Sequence, residues 1–357
     1  MEEQLTSPAS EPAAQAAGTA SSIKKTNMAD YYENQFASDV ENFKKGGKLK
    51  SGYANIDAIT NLYPGLYVIG AISSLGKTTF IHQMGDQMAE AGNHVLFFSL
   101  EQSILELASK SIARTMAQED QKNGLSSLQV RRADLSDSLI ASAINKCKIY
   151  SDKMTIVECS FRATIDDIAN TVHEYIKQNN VKPVVIIDYL QVIQPSPESK
   201  MTTKDLVDYH VRRLKVLQTD NQLTMIVISS LNRQNYMTAI DFESFKESGG
   251  IEYTADVLWG LQLQCIHNEP FTQQNKINEK RQKIIEAKKA VPRKIELICL
   301  KNRFGVSSYT CQFDYYPKYD WFKPDLTGLD ISDTYGSDTD TDGFMTVPEG
   351  YELPWSI

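Results

Sequence analysis

The sequence predicts an α/β fold: a mostly parallel sheet with helices on both faces and an antiparallel edge. Three observations carry that expectation. From residue 66 onward, continuous runs of Val, Ile, Leu and Phe alternate with helical patterns, as strands buried on both faces do. The final apolar runs, "DVLWGLQLQ", "KIELICLKN" and "SYTCQFDYY", lose that alternation and suggest the antiparallel edge. Between the first run and the first helix lies "GAISSLGKTT", close to the phosphate-binding pattern G-x-x-x-x-G-K-[ST].

The elements follow in chain order. Residues 1–27 are Ala, Ser, Thr, Gln and Glu with almost no core formers, and read as a disordered tail. Residues 28–50 read as a helix and a linker. Tyr32, Phe36, Val40 and Phe43 fall on one apolar stripe, and "KKGGKLKSG" breaks it. The stripe docks either on its own domain or on a neighbouring subunit. "LYVIGA" is the first strand, 78–91 a helix and "HVLFFSLE" a second strand, followed by a helical region to about Tyr150. "MTIVEC", "PVVIIDYLQVI" and "TMIVISSL" are further strands; "IDDIANTVHEYIKQN" and "TKDLVDYHVRRLKVLQTD" are the helices between them. Residues 266–294 are a polar insertion with eight bases and two acids from Lys276 to Lys294, read as a solvated surface helix rather than a nucleic-acid contact. The main domain spans 51–322. Residues 323–357 are acidic and turn-rich and read as a tail, although "DTDTDG" resembles the start of a calcium loop.

Composition narrows the class. A hydrophobic content of 41% supports a substantial core in 357 residues. No run of 18 apolar residues occurs, so no membrane span is expected. The first residues have no basic n-region and no apolar h-region, so a signal peptide is not expected. Cys147, Cys159, Cys265, Cys299 and Cys311 are scattered with no C-x-x-C, and no H-E-x-x-H occurs, which argues against a zinc site or disulfide framework. These features together predict a reducing, cytoplasmic setting. The net charge of −8 resides from Asp314 onward, where ten acids face two bases; the first 313 residues balance, 35 against 35. The low pI therefore does not exclude a nucleic-acid-binding body.

The phosphate-loop pattern places Lys77, which can reach the β and γ phosphates, and Thr78, whose hydroxyl can bind Mg²⁺. Ala71, Ser73, Ser74, Leu75, Gly76 and Thr79 complete the loop and helix start. Ala71 stands where the pattern has glycine; a small side chain fits if φ is negative there. Asp188 ends the strand "VVIID", where a carboxylate faces the ligand crevice of an α/β sheet. Beside a phosphate loop it reads as a hold on Mg²⁺. Glu101 ends "LFFSLE". It reads either as a base that deprotonates an attacking water or as a first-turn helix acid; position alone leaves both open.

"SSLGKTTF", "FFSLEQ", "VVIIDYLQVI", "SSLNRQ", "FKESGGIEYTADV" and "LKNRFG", in this order, resemble the bacterial replicative helicases of the DnaB type over about residues 50–322. "SGYANID" resembles the segment leading into their ATPase domain. The resemblance implies a RecA-like P-loop NTPase core that binds ATP and Mg²⁺ at subunit interfaces of a ring, usually a homo-hexamer, around single-stranded DNA. It implies Lys77 and Thr78 on phosphate and Mg²⁺, Glu101 as catalytic base and Asp188 as the Mg²⁺-associated carboxylate. It implies that Lys301 and Arg303 of "LKNR" project into the neighbour's site, Arg303 as the arginine finger. "FKESGG" is similar to the family's DNA-gripping loop, with Lys246, Glu247 and Gly249 matching; Lys200 and Lys204 lie in a second candidate loop. Two departures stand out. Ser230 occupies the usual place of a glutamine γ-phosphate sensor, and only some 50 residues precede the ATPase domain where the family has an N-terminal collar that engages primase, as expected either for a lineage without a collar or for a segment of a larger primase–helicase. The implied activity is an ATP-dependent helicase acting in DNA replication, with primase or a loader as possible partners. The alternative is a nucleotide-controlled RecA-like binding protein, such as a loader or a recombination or signalling ATPase, without unwinding.

Overall fold

In the computed structural model the chain divides into two compact units after Lys45. The structure describes residues 25–46, 49–72, 74–134, 136–195, 201–232, 238–245, 249–267 and 277–327. The expected 1–27 tail lies almost wholly outside them. So do the calcium-loop-like segment, Lys200, Lys246 and Glu247.

In the first unit the expected single helix is two, α1 (Met28–Asn34) and α2 (Phe36–Gly46). They break at Gln35, whose φ of −126° and ψ of −36° leave the helical region. Asn27 caps α1 through its side chain, the standard way to satisfy first-turn N–H groups. Tyr32, Phe36 and Phe43 of the stripe are exposed. Tyr31 and Tyr32 each meet Phe36 edge-on, and the Tyr31 hydroxyl donates to Asp39 at 3.0 Å across the break.

The second unit is built on one sheet. Its strands are β1 (Gly65–Ala71), β2 (Val95–Ser99), β3 (Met154–Glu158), β4 (Val184–Asp188), β5 (Thr224–Ser230), β6 (Val257–Leu263), β7 (Arg293–Asn302), β8 (Thr310–Tyr316) and β9 (Trp321–Asp325). The helices are α3 (Ala54–Asp57), α4 (Lys77–Glu90), α5 (Ile104–Glu119), α6 (Ser127–Val130), α7 (Ser138–Tyr150), α8 (Ile165–Asn179), α9 (Thr203–Asn221), α10 (Gly249–Thr254), α11 (Gln264–His267) and α12 (Ile277–Lys289). Strand order is β3-β2-β4-β5-β1-β6-β7-β8-β9. The first six are mutually parallel, and β7, β8 and β9 are added antiparallel; the run "DVLWGLQLQ", expected in the antiparallel edge, is β6, an interior strand parallel to β1. β1, β2, β4 and β6 are buried at every residue, which is why they read as unbroken apolar runs. β8 alternates buried and part-exposed positions, as a strand with one wet face does. β9 has no counterpart among the strands expected from the sequence and carries sheet structure past the expected boundary at 322/323.

The antiparallel edge folds back over α4. Gln83 of α4 exchanges two hydrogen bonds with the Phe322 backbone, both 2.8 Å. Phe80 stacks on Tyr53 at 4.6 Å and meets Phe313 and Phe322 edge-on at 5.2 Å. This packing fixes the start of α4 against β8 and β9. Among the described residues no helix is long and apolar enough to cross a membrane.

Candidate functional site

β1 lies between β5 and β6, and the chain leaves its carboxyl end through residues 72–76 into α4. In open parallel sheets the crevice beyond the strand ends is where ligands bind. Ala71 is ordinary strand, paired with both Ser230 and Leu261, so its methyl group needs no positive φ. Gly70 is required for a different reason. A Cβ there would stand 2.5 Å from Leu231 and 2.6 Å from Phe245. The left-handed positions of the loop are Ser74 (φ 67°) and Gly76 (φ 88°). A Cβ on Gly76 would also come within 3.0 Å of the Tyr315 ring. Leu75 is fully buried in the core, so it and Ala71 can serve a ligand only through the backbone. Ser73 lies outside the described residues. No side chain of Gly76 caps α4, so the first N–H groups of the helix present an anion site. Arg293 braces the loop by donating to the Ser74 carbonyl at 3.1 Å, with its guanidinium 5.8 Å from the Tyr315 ring centroid.

A cleft of about 450 Å³ opens here, lined by Ser74, Gly76, Lys77, Thr78, Thr79, Glu101, Gln102, Lys110, Tyr189, Ser230, Tyr315 and Asp320. Adjacent strands bring the two predicted acids together. Ser99 pairs with Asp188, and Leu100 N–H donates to the Asp188 carbonyl at 2.9 Å, which sets Glu101 beside Asp188. Asp188 is 1% exposed. Burial pushes its carboxyl up to about 6; a hydrogen bond from Thr78 and the charges of Lys77 and Lys110 oppose that, while Glu101 adds to it. Its Oδ2 is buried and has no hydrogen-bond partner among the described residues. A carboxylate oxygen without a partner, joined to a threonine hydroxyl, is a hard-oxygen donor set of the kind that holds Mg²⁺. No group of three or more His, Cys, Asp or Glu side chains that could hold a metal occurs among the described residues.

Ser230 closes β5 at the cleft wall. Its N–H donates to Gln191 Oε1 at 3.1 Å, and Gln191 Nε2 donates to Ser229 Oγ at 2.8 Å. The Thr79 hydroxyl is engaged within the protein. It donates to Asp320 Oδ1 at 3.1 Å and accepts from Lys110 Nζ at 3.0 Å. Lys77 Nζ sits 5.7 Å from the centroid of the Tyr189 ring.

Lys301 and Arg303 are not in this cleft. β7 runs antiparallel to β6, with Lys301 opposite Leu258 while Ala71 is level with Leu261. Arg303 lies beside Asp256, five residues from that level, or roughly 16 Å along the strand at 3.3 Å per residue. Both cations therefore occupy the opposite end of the sheet from the phosphate loop. Gly249 begins α10 and is exposed, with open space around it.

Gln102, Lys110, Tyr189, Tyr315 and Asp320 line the cleft without being marked by the sequence. Tyr315 and Asp320 arrive from the antiparallel edge more than two hundred residues away, and no local pattern announces them. Lys110 sits mid-helix in α5 without a motif.

The sequence matches the family described as "DnaB-like helicase C terminal domain" over residues 48–324. It is 26% identical over 242 residues to the replicative DNA helicase DnaB of Haemophilus influenzae, covering 65% of this chain and 50% of that protein. It is 26% identical over 237 residues to the replicative DNA helicase DnaB of Geobacillus stearothermophilus, covering 64% and 50%. The chain thus spans about half the length of these relatives. Among solved structures, an isolated ATPase domain superposes with a TM-score of 0.64 at 19% identity, over 84% of this chain and 99% of that one. A DnaB-like replicative helicase, studied for its interactions with primase, superposes with a TM-score of 0.63 at 19% identity, over 84% and 67%. These superpositions establish the RecA-like fold.

Proposed function

This chain belongs to the DnaB-like helicase C-terminal domain family, and from that premise we propose that it hydrolyses ATP to move along single-stranded DNA and unwind duplexes during replication. The observation that carries the reading is the cleft lined by Lys77, Thr78 and Glu101, with the buried Asp188 bonded to Thr78 beside it and keeping one carboxylate oxygen without a partner among the described residues. Lys77 and the N–H groups of Ser73, Ser74, Leu75, Gly76, Thr78 and Thr79 hold the phosphates, with Ala71 setting the loop's origin. Thr78 and Asp188 hold Mg²⁺, which supplies charge neutralisation to the phosphates. Glu101 takes a proton from the attacking water. Ser230 faces the γ-phosphate position, held in place by Gln191.

Lys301 and Arg303 act on the neighbouring chain's cleft, Arg303 as the arginine finger; their distance from their own cleft favours that arrangement. Lys246, Glu247 and Gly249 grip the DNA backbone through phosphate contacts that do not depend on sequence. The working unit is a homo-hexameric ring in the cytoplasm, with primase or a loader as further partners. Its parts are a tail (1–27), a linker (28–50), the ATPase domain (51–322) and an acidic tail (323–357).

The test is the ATPase rate with and without single-stranded DNA, read beside the oligomer size, for wild type, Lys77→Ala and Glu101→Gln. The expected result is a DNA-stimulated oligomer and two variants without turnover. Appreciable turnover in both variants would sink the site assignment. A monomer indifferent to DNA would favour the nucleotide-controlled binding protein instead.

A further inference from the structure

The far end of the sheet from the cleft holds a charged cluster centred on Asp256. Its carboxylate is nearly buried, at 5% exposure, and serves three donors. Oδ2 accepts from the Leu66 N–H at 2.8 Å and from Lys215 Nζ at 2.5 Å, and Oδ1 accepts from Arg303 Nη1 at 3.1 Å. The Asp256 backbone joins the same cluster. Its carbonyl accepts from Arg303 N–H at 3.1 Å, and its N–H donates to the Leu66 carbonyl at 2.9 Å. One residue thus ties together β1, α9 and the segment after β7.

The cations hold a second set of contacts. Lys301 Nζ donates to the Glu252 carbonyl at 2.7 Å, and Arg303 Nη2 to the Tyr253 carbonyl at 3.4 Å. Glu252 and Tyr253 are in the last turn of α10, where carbonyls lack intrahelical partners and attract cations. Partial burial and the neighbouring Arg303 charge lower the Lys301 pKa. Next to Arg303, Phe304 stacks on Tyr63 at 5.4 Å, which anchors the backbone. The Arg303 side chain is still 51% exposed and available to a neighbour.

α10 is fixed at its other end too. Gly250 N–H donates to Asp208 Oδ1 of α9 at 3.0 Å, and a Cβ on Gly250 would fall 2.0 Å from that oxygen. Two α9 side chains therefore flank this short helix: Asp208 holds its first turn, and Lys215 holds Asp256, two residues past its end.

We infer that Asp256 is the positioning residue for the trans-acting pair Lys301 and Arg303, and that α10 links their position to the Gly249 end that the proposed function assigns to DNA. The inference rests on that reading of Arg303 and of Gly249. A shift of α10 against α9 changes the carbonyls offered to both cations at once. Contact with DNA at one end of a six-residue helix then changes how the guanidinium is presented at the other. The charge of Asp256 sets the resting position by opposing Lys215 and Arg303 together.

The test is subunit mixing with Asp256→Asn, which keeps the shape and removes the charge. Alone, it should lose about tenfold or more in DNA-stimulated kcat, part of the roughly 10³–10⁵ that a finger supplies, with KM for ATP within about twofold of wild type. Lys77→Ala subunits have a dead cleft and an intact finger. Co-assembled with them, Asp256→Asn clefts should recover turnover, which a merely destabilised subunit would not. Undiminished kcat in Asp256→Asn, or no recovery in mixtures shown to co-assemble, overturns the inference. If Asp256→Asn fails to fold, Gly250→Ala probes the same link from the DNA end. It should lower the ratio of rates with and without single-stranded DNA at unchanged KM, and an unchanged ratio overturns the inference. Arg303→Ala separates the two levels. Full activity in that variant removes the reading beneath, and the inference with it. Loss of activity there, beside a fully active Asp256→Asn, refutes the inference alone.

Discussion

Asp188→Asn should uncouple stability from pH in the metal-free protein. Wild-type Asp188 has its carboxyl raised from 3.8 to about 6, chiefly by burial. Folded protein therefore holds this proton more tightly than unfolded chain does. The two states bind it equally below about pH 3.8. As pH rises through 6 the folded state must either keep the proton or accept a buried charge, and stability falls. The shift of about two pH units corresponds to about 3 kcal/mol, a large share of the roughly 5–15 kcal/mol that holds a domain folded. Asparagine keeps the oxygen that accepts from Thr78 but cannot ionise. It adds a buried amide without an acceptor, at a fixed penalty of about 1–3 kcal/mol. That penalty is the same at every pH, so the pH-dependent part of the difference isolates the charge. Urea unfolding in EDTA from about pH 4 to about pH 7.5, within the range where the protein refolds reversibly, measures it. The difference between variant and wild type should move by about 2.5 kcal/mol in favour of the variant across that range. A difference that stays flat within about 0.5 kcal/mol would refute the argument that burial dominates this carboxyl.

Two further predictions concern the support of the cleft. Asp86 of α4 accepts from Arg114 Nη2 and, at 2.6 Å, from Ser111, and both members of the ion pair are buried. Asp86→Ala should cost about 3–5 kcal/mol in urea unfolding because Arg114 is left charged and unpaired, whereas Asp86→Leu with Arg114→Met should recover most of it. An Asp86→Ala loss under about 1 kcal/mol would contradict this. Gly76→Ala puts a Cβ at φ 88° and 3.0 Å from the Tyr315 ring. It should lower stability by about 1–2 kcal/mol and weaken nucleotide binding far more, since the helix start must move. Stabilisation by ATP in thermal unfolding reads the second effect, and an unaltered ATP-induced shift would refute it.

The parallel half of the fold is legible in the sequence because β1, β2, β4 and β6 are buried on both faces and therefore apolar almost throughout. The phosphate loop, Glu101 and Asp188 are legible because each sits at a strand end in the sequence as well as in space. Legibility fails where position depends on contacts across the chain. The two bonds from Gln83 to Phe322 carry Tyr315 and Asp320 into the cleft, and nothing near residue 315 announces it. The stripe from Tyr32 to Phe43 is periodic enough to suggest one helix, yet the backbone leaves the helical region at Gln35. Asp256 reads in sequence only as one letter of a familiar block; its three donors come from β1, α9 and the end of β7, which no sequence window spans. The glycine one place early in the phosphate-loop pattern, Gly70, packs under Leu231 and Phe245, so the alanine after it is an ordinary strand residue.

The phosphate loop and the Lys301–Arg303 pair lie at opposite ends of one rigid sheet. A chain that lends its cations to another's cleft can do so only head to tail, because the donor face and the acceptor face are different surfaces. Each chain then has one socket and one plug. In a closed ring every socket is filled. An opened arc of the same chains leaves one cleft at its end without a donor and one donor without a cleft. Opening such a ring to admit a strand of DNA would therefore switch off hydrolysis at the gap and nowhere else.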